Sequence, residues 1–351
     1  MVIKSLELKN FRNYKDYKID FSPITVIYGP NGIGKSNILE ALTCLAHTKS
    51  YRTNHEENLI LYNENYAQIQ GNLENERIFF LLQKENNNLK KYAKVNNVPK
   101  RLSDLIGKLK LVIFTPESLQ IVTGSPLARR KFLDICISQI DRNYFNNLLK
   151  YKKILKQRNE LLKNIALGKS DDSELDFWNE KMAHCAKIII QERINLIQFI
   201  NTKINYYYQD LSGKNEEISL NYQSKFMNLD SIYDYLNAHK KEEIKFQKTL
   251  FGPHLEDIKI FINNKAFAEV SSRGEIRSLV LVLKILEIKF LENTGSKNIL
   301  LLLDDIFSEL DTQRRNRIIK IIKEKQTIIT TTDKNFIKDG LGNISFISPN
   351  I

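Results

Sequence analysis

Gly29-Pro30-Asn31-Gly32-Ile33-Gly34-Lys35-Ser36 follows the apolar run Ile24-Thr25-Val26-Ile27-Tyr28 and precedes Asn37-Ile38-Leu39-Glu40-Ala41-Leu42-Thr43-Cys44-Leu45. The octet fits G-x-x-x-x-G-K-[ST], a loop whose glycines let backbone N–H groups turn inward on phosphate oxygens. In such a loop Lys35 brings a point charge to the β- and γ-phosphates, and the Ser36 hydroxyl is a ligand for Mg²⁺. The flanks make this more than a matching surface turn. A strand leads in, and Ile38, Leu42 and Leu45 recur at helical spacing, so a helix N-terminus with unpaired N–H groups faces the anion. Gly29 to Asn37 is therefore read as a nucleotide-binding segment at the heart of an α/β fold.

The partner that such a loop requires lies far downstream. Ile299-Leu300-Leu301-Leu302-Leu303 has no polar alternation, reads as a fully buried strand, and runs directly into Asp304-Asp305. The carboxyl end of a strand is where open α/β sheets place their ligands. Asp304 is read as the carboxylate that holds Mg²⁺ through water, together with Ser36, and Asp305 as a general base for the attacking water. A glutamate would reach further than Asp305, so slow hydrolysis is expected. Upstream of that strand, Ser271-Ser272-Arg273-Gly274-Glu275-Ile276-Arg277 opens a helix. Its free N–H groups and serine hydroxyl offer an anion site. Ser272 with Glu275 equally satisfies a purely structural capping box.

Strand patterns fill the amino-terminal part: Val2 to Leu8, Ile24 to Tyr28, Tyr66 to Gly71 and Ile78 to Leu82. After Pro126 the period changes. Leu148, Tyr151, Leu155, Leu162 and Ile165 recur three and four apart with Arg158 in the one polar gap. A capping box at Asp171 to Glu174 starts a second helix through Leu175, Trp178, Met182, Cys185 and Ile189, extended by Leu196, Ile200, Ile204 and Tyr207 to a stop at Ser212-Gly213. These helices are expected to pair, as an arm or within an ordinary bundle. Ile258 to Ile262 then reads as a strand, Asn263-Asn264 as a turn, Lys265 to Val270 as a hairpin partner, and Ile276 to Leu291 as a long helix. The expected division is a discontinuous head of residues 1–120 and 246–351 around a helical insertion of 121–245.

The chain has 351 residues, 42% of them hydrophobic, enough for a full core. The first residues alternate rather than forming an apolar core, and no stretch approaches the ~20 apolar residues of a membrane span, so a soluble cytoplasmic protein without a membrane partner is expected. Cys44, Cys136 and Cys185 lack C-x-x-C spacing and read as reduced core residues. Fifty-three Lys plus Arg against 41 Asp plus Glu give a net charge of +12. That balance favours a polyanion such as nucleic acid, although drift toward Lys, Asn and Ile produces it without any partner. Lys49, Tyr51 and Arg52 combine cations with an aromatic, as a nucleic-acid surface or a solvated loop would.

Further blocks join these motifs in order: Leu6-Glu7-Leu8-Lys9-Asn10-Phe11-Arg12-Asn13-Tyr14, Phe114-Thr115-Pro116-Glu117, Gly124-Ser125-Pro126 with Arg129-Arg130, Gly252-Pro253-His254, Leu303 to Asp311, and Thr330-Thr331-Thr332-Asp333. Together they resemble the RecF family of bacterial DNA replication and repair proteins over nearly the whole length. The resemblance implies an ABC/SMC-type P-loop ATPase head with an inserted helical subdomain, ATP and Mg²⁺ as cofactors, and weak ATPase activity. It places Arg12 near the phosphates and makes Ser272 and Gly274 the signature element that contacts the γ-phosphate held by a second copy. Ser308 to Asp311 becomes a loop at the dimer seam. It further implies an ATP-dependent homodimer clamping DNA at single-strand gaps or duplex–single-strand junctions, with RecO, RecR and a recombinase as partners. Two positions depart from the family pattern: Glu275 stands where a glutamine is usual and Leu255 where a basic residue is usual. Thr331 and Thr332 stand where many ABC ATPases have a switch histidine, and His254 reads as structural. Other classes remain open: a transporter ATPase subunit, an SMC-like structural ATPase, or another P-loop DNA-processing enzyme.

Overall fold

Alternation at the amino terminus builds strand β1 (Ile3–Phe11), which buries Ile3, Leu6, Leu8 and Phe11. A computed structural model of the chain describes residues 2–86, 88–226, 228–295, 298–309, 311–333 and 344–349. Two compact units emerge, one of residues 1–118 with 287–351 and the other of residues 119–286.

In the first unit, β1 belongs to an antiparallel sheet with β2 (Tyr14–Asp20), β4 (Tyr66–Leu73), β5 (Arg77–Glu85), β6 (Asn88–Val95) and β7 (Val98–Lys100), in the order β2-β1-β4-β5-β6-β7. A second, parallel sheet contains β3 (Ile24–Tyr28), β8 (Lys110–Phe114), β12 (Ile299–Asp304), β13 (Gln326–Thr331) and β14 (Ile344–Ile347), ordered β14-β3-β13-β12-β8. Helix α1 (Lys35–His47) packs with both: Ile38, Leu42 and Leu45 share one core cluster with Leu6, Leu8 and Phe80 of the first sheet and Leu300, Leu302 and Ile328 of the second. Full burial of both faces explains the unbroken apolar run of β12. The order puts β13 between β3 and β12, pairing Tyr28 with Thr331 and Thr330 with Asp304. The loop after β3 and the acid ending β12 thus open at the same edge of the sheet. Helix α11 (Thr312–Glu324) is capped by Asp311, whose Oδ1 accepts from the Arg314 amide at 2.9 Å. Leu310 and the side chains of Ser308 and Glu309, part of the expected seam loop, lie outside the described residues.

The second unit starts with α2 (Gln120–Thr123) and α3 (Pro126–Ser138), followed by the two long helices α4 (Arg142–Ala166) and α5 (Glu174–Asn201). These two run antiparallel, since Leu161 and Leu162 meet Leu175 at one end while Arg193 reaches Tyr144 at the other. A break at Thr202-Lys203 precedes α6 (Ile204–Ser212), which stops at left-handed Gly213. Then come β9 (Ile218–Gln223), α7 (Ile232–Ala238), α8 (Lys240–Phe246), β10 (Asp257–Ile262), β11 (Lys265–Ala266), α9 (Phe267–Val270) and α10 (Arg273–Glu292), whose residues from 287 on are counted in the first unit. The polar residue in the α4 seam is not solvated: Arg158 is fully buried and donates to Asn179 Oδ1 (2.7 Å), Thr249 Oγ1 (2.8 Å) and Glu243 Oε2 (2.5 Å).

Two sequence expectations differ here. The second compact unit extends to residue 286 rather than ending at 245: β10 pairs with β9 along six positions, which places Asp257–Ile262 and Lys265–Ala266 in the sheet β11-β10-β9 of this unit. The hairpin partner expected through Val270 stops at Ala266. Phe267 is buried edge-on against Tyr208, with ring centroids 6.3 Å apart, and the chain turns into α9 to bring it there. Gly252-Pro253-His254 proves to be a clasp within this unit. Gly252 lies at φ +134°, and a Cβ there would come within 2.3 Å of the Tyr151 hydroxyl. The Pro253 carbonyl accepts from Arg193 Nη1 at 2.7 Å, and Tyr151 Oη meets His254 Nδ1 at 2.7 Å. Burial, seconded by nearby arginines, pushes the His254 imidazole down to about 4, so it stays neutral at physiological pH.

Candidate nucleotide-binding site

Helix α1 begins at Lys35 with Gly34 as its cap, and no acidic residue occupies its first turn. Its first N–H groups are therefore open to an anion. Only glycine suits position 34: φ is +92°, and a Cβ would lie 2.7 Å from Tyr14 Oη and 2.8 Å from Asn13 Nδ2. The buried Lys35 folds back over the loop, its Nζ donating to the carbonyls of Gly29 (2.7 Å) and Pro30 (2.9 Å). Burial lowers the pKa of this ammonium, while the negative charges of Asp305 and Asp304 oppose that shift. A cation held by weak carbonyl acceptors in the mouth of a glycine loop is suited to exchange them for phosphate oxygens.

Asp304 ends β12 beside this loop. Its Oδ1 accepts from Ser36 Oγ and Thr330 Oγ1, each at 2.7 Å, and its Oδ2 accepts from the Tyr51 hydroxyl at 2.8 Å. A serine hydroxyl and a carboxylate touching at the end of a strand form a hard-oxygen donor set of the kind Mg²⁺ takes while keeping several waters, so the residues fit that ion. Asp305 turns away from the strand through a left-handed backbone at φ +50°, where its amide donates to the Thr330 carbonyl (3.2 Å) and hydroxyl (3.1 Å). A non-glycine residue held in this region at a strand end is the kind of strain that accumulates at functional sites.

Arg12 sits beside the same helix, but its guanidinium is committed. Nε and Nη2 straddle the two oxygens of fully buried Glu40 at 2.8 and 2.7 Å, and Nη1 donates to the Asn58 carbonyl at 2.8 Å. Ser50 and Arg52 also converge on Glu40, and Arg52 Nη1 reaches Asn37 Oδ1 at 2.8 Å. Asn37 in turn donates to Asn13 at 2.8 Å. This polar lattice borders an open hollow of about 710 Å³ lined by Arg12, Asn13, Asn37, Arg52, Tyr62 and Asn65 among others.

Of the residues singled out in the sequence, Gly29 to Asn37, Asp304 and Asp305 thus converge on one end of the parallel sheet. Ser272 and Gly274 belong to the other unit, at the start of α10. There the Ser272 amide donates to Glu275 Oε2 (2.7 Å) and the Glu275 amide to Ser272 Oγ (3.3 Å), a capping box. Lys214 bonds Glu275 and, with the Ser272 amide, holds its carboxyl well below the usual range, at about 2. Three participants were not legible as such: Glu40, inside an apolar helix pattern; Thr330, inside a strand; and Tyr51, which faces Asp304 instead of forming a nucleic-acid surface.

Comparison with known proteins gives this geometry its lineage. The family model described as RecF/RecN/SMC N terminal domain matches residues 2–348. The DNA replication and repair protein RecF of Pediococcus pentosaceus is 36% identical over 98% of this chain and 95% of its own length. The chain belongs to the RecF family. RecF of Ruminiclostridium cellulolyticum is 37% identical over 98% of this chain and 99% of its own. A solved structure of the recombination mediator protein RecF with ATP, in the RecFOR pathway, superposes with a TM-score of 0.90 at 33% identity, covering 100% of this chain and 96% of that one. RecF membership accounts for the α/β head of ABC/SMC type. Among the described residues, no helix is long and apolar enough to cross a membrane.

Proposed function

We propose that this chain is an ATP-switched DNA-binding protein of recombinational repair and replication, acting at gapped or single-strand-containing duplexes in the cytoplasm with RecO and RecR as partners. The observation that carries the reading is the 2.7 Å hydrogen bond from Ser36 Oγ to Asp304 Oδ1, which joins the P-loop to the strand-end acid 268 residues away. Lys35 and the first N–H groups of α1 would hold the triphosphate of ATP, and the hollow beside Asn13 and Asn37 has the volume of a ligand pocket for the nucleoside. Mg²⁺ held near Ser36 and Asp304 would neutralise charge developing on the β- and γ-phosphates. Asp305 would accept the proton of the attacking water as its oxygen bonds to the γ-phosphorus and ADP leaves. Ser272 and Gly274 of a second copy would complete the site, so that ATP joins two heads and hydrolysis separates them.

The length of α4 and α5 favours this reading over a structural SMC-like ATPase. At 25 and 28 residues they reach only about 40 Å, far short of a long arm. The test is affinity for gapped duplex DNA, measured by anisotropy across a salt series with ATP and with ADP. Binding is expected to be tighter with ATP, and log affinity to fall linearly with log salt as phosphate contacts release counterions. Equal affinity with both nucleotides would defeat the switch.

A further inference from the structure

Asp304 is held by three hydroxyls from three separate elements: Ser36 at the start of α1, Thr330 in β13, and Tyr51 in the segment after α1. Ser36 and Thr330 share Oδ1, whereas Tyr51 takes Oδ2. The distinction matters because the terminal torsion of an aspartate is soft. Donors on one oxygen leave the carboxylate plane free to swing; a donor on each oxygen fixes it. Tyr51 is the donor on Oδ2, its hydroxyl 2.8 Å away. Its backbone is tethered on both sides. Ser50 bonds Glu40 and accepts from the amides of Arg52 (2.9 Å) and Thr53 (3.1 Å), while Arg52 reaches Asn37.

We propose that Tyr51 is a positioning residue for the metal-holding carboxylate, fixing the plane of Asp304 so that Oδ1 stays directed at Ser36. If the Ser36 hydroxyl turns to a cation, Asp304 loses one donor, and Tyr51 with Thr330 still defines its orientation. This rests on the reading of Ser36 and Asp304 as the Mg²⁺ site. Tyr51→Phe keeps the ring and removes one hydroxyl. Two calorimetric titrations on the full chain separate positioning from general damage: Mg²⁺ into the protein–ADP mixture, and ADP into the protein in EDTA. Loss of such an outer partner costs about tenfold or more in metal affinity. We therefore expect the Mg²⁺ midpoint of Tyr51→Phe to rise about tenfold, with ADP affinity in EDTA unchanged. An unchanged or lower Mg²⁺ midpoint overturns the positioning role, as does an equal loss of affinity in EDTA. A wild-type chain that binds ADP without responding to Mg²⁺ overturns the metal reading and the inference together.

Discussion

Lys35→Ala is expected to remove nucleotide binding while leaving the fold intact. In the structure the ammonium rests on two carbonyl oxygens of its own loop and is buried in spite of its charge, with Asp304 and Asp305 supplying the opposing field. Phosphate oxygens offer stronger, charged acceptors, and hydrogen bonds to charged groups contribute about 1.5–3 kcal/mol each. Losing two of them weakens ATP binding by roughly 100-fold or more. A melting experiment reads this directly. ATP at 100 times its dissociation constant stabilises a protein by about 2.7 kcal/mol, so wild type should melt several degrees higher with ATP, whereas a variant weakened 100-fold or more gains at most about 0.4 kcal/mol. An undiminished ATP-induced shift in Lys35→Ala would remove the P-loop from the account.

The second large effect concerns stability. Arg158 and Glu243 are both inaccessible to solvent and bonded to each other, with Asn179 accepting from the guanidinium Nε and Thr249 from Nη1. Removing one member of a buried pair strands the other charge, at a cost of about 3–5 kcal/mol, whereas removing both costs far less. Arg158→Met should therefore shift urea unfolding strongly toward lower concentration, and Arg158→Met with Glu243→Gln should recover more than half of the loss. Glutamine keeps an acceptor for the Leu250 amide, which Glu243 Oε1 now binds at 2.8 Å. Trp178, the single tryptophan, packs against Leu161, Leu162 and Leu175 and reports on this unit. A double variant no more stable than Arg158→Met would show that stranded charge is not the cause.

The contrast between these sites explains what could be read from the chain alone. Gly29 to Ser36 and Leu303 to Asp305 are legible because phosphate and metal chemistry dictates both residue type and position, and because β3 and β12 announce themselves as apolar runs. Arg158 interrupts an apolar seam, which marks it as unusual, yet nothing local names Glu243, 85 residues away, as its partner. Tyr51 and Thr330 escaped for the same reason. Each makes its defining contact with Asp304, 253 and 26 residues away, and a tyrosine next to Arg52 and two residues from Lys49 looks like a nucleic-acid surface or a solvated loop until the fold turns it inward. The extent of residues 119–286 followed the pairing of β9 with β10, a long-range register that alternation in either strand does not specify. Local propensity likewise favoured a longer hairpin after Asn264, and burial of Phe267 overrode it.

The proposed site is completed by a second copy, the P-loop of one chain and Ser272 and Gly274 of the other enclosing the same nucleotide. Sedimentation velocity of the full chain with ATP and Mg²⁺, with ADP and Mg²⁺, and without nucleotide tests it most directly. A species of twice the 41.0 kDa chain mass is expected with ATP and Mg²⁺ only, and is expected to be lost in Lys35→Ala. A monomer under all three conditions, in a wild type shown by melting to bind ATP, would contradict it.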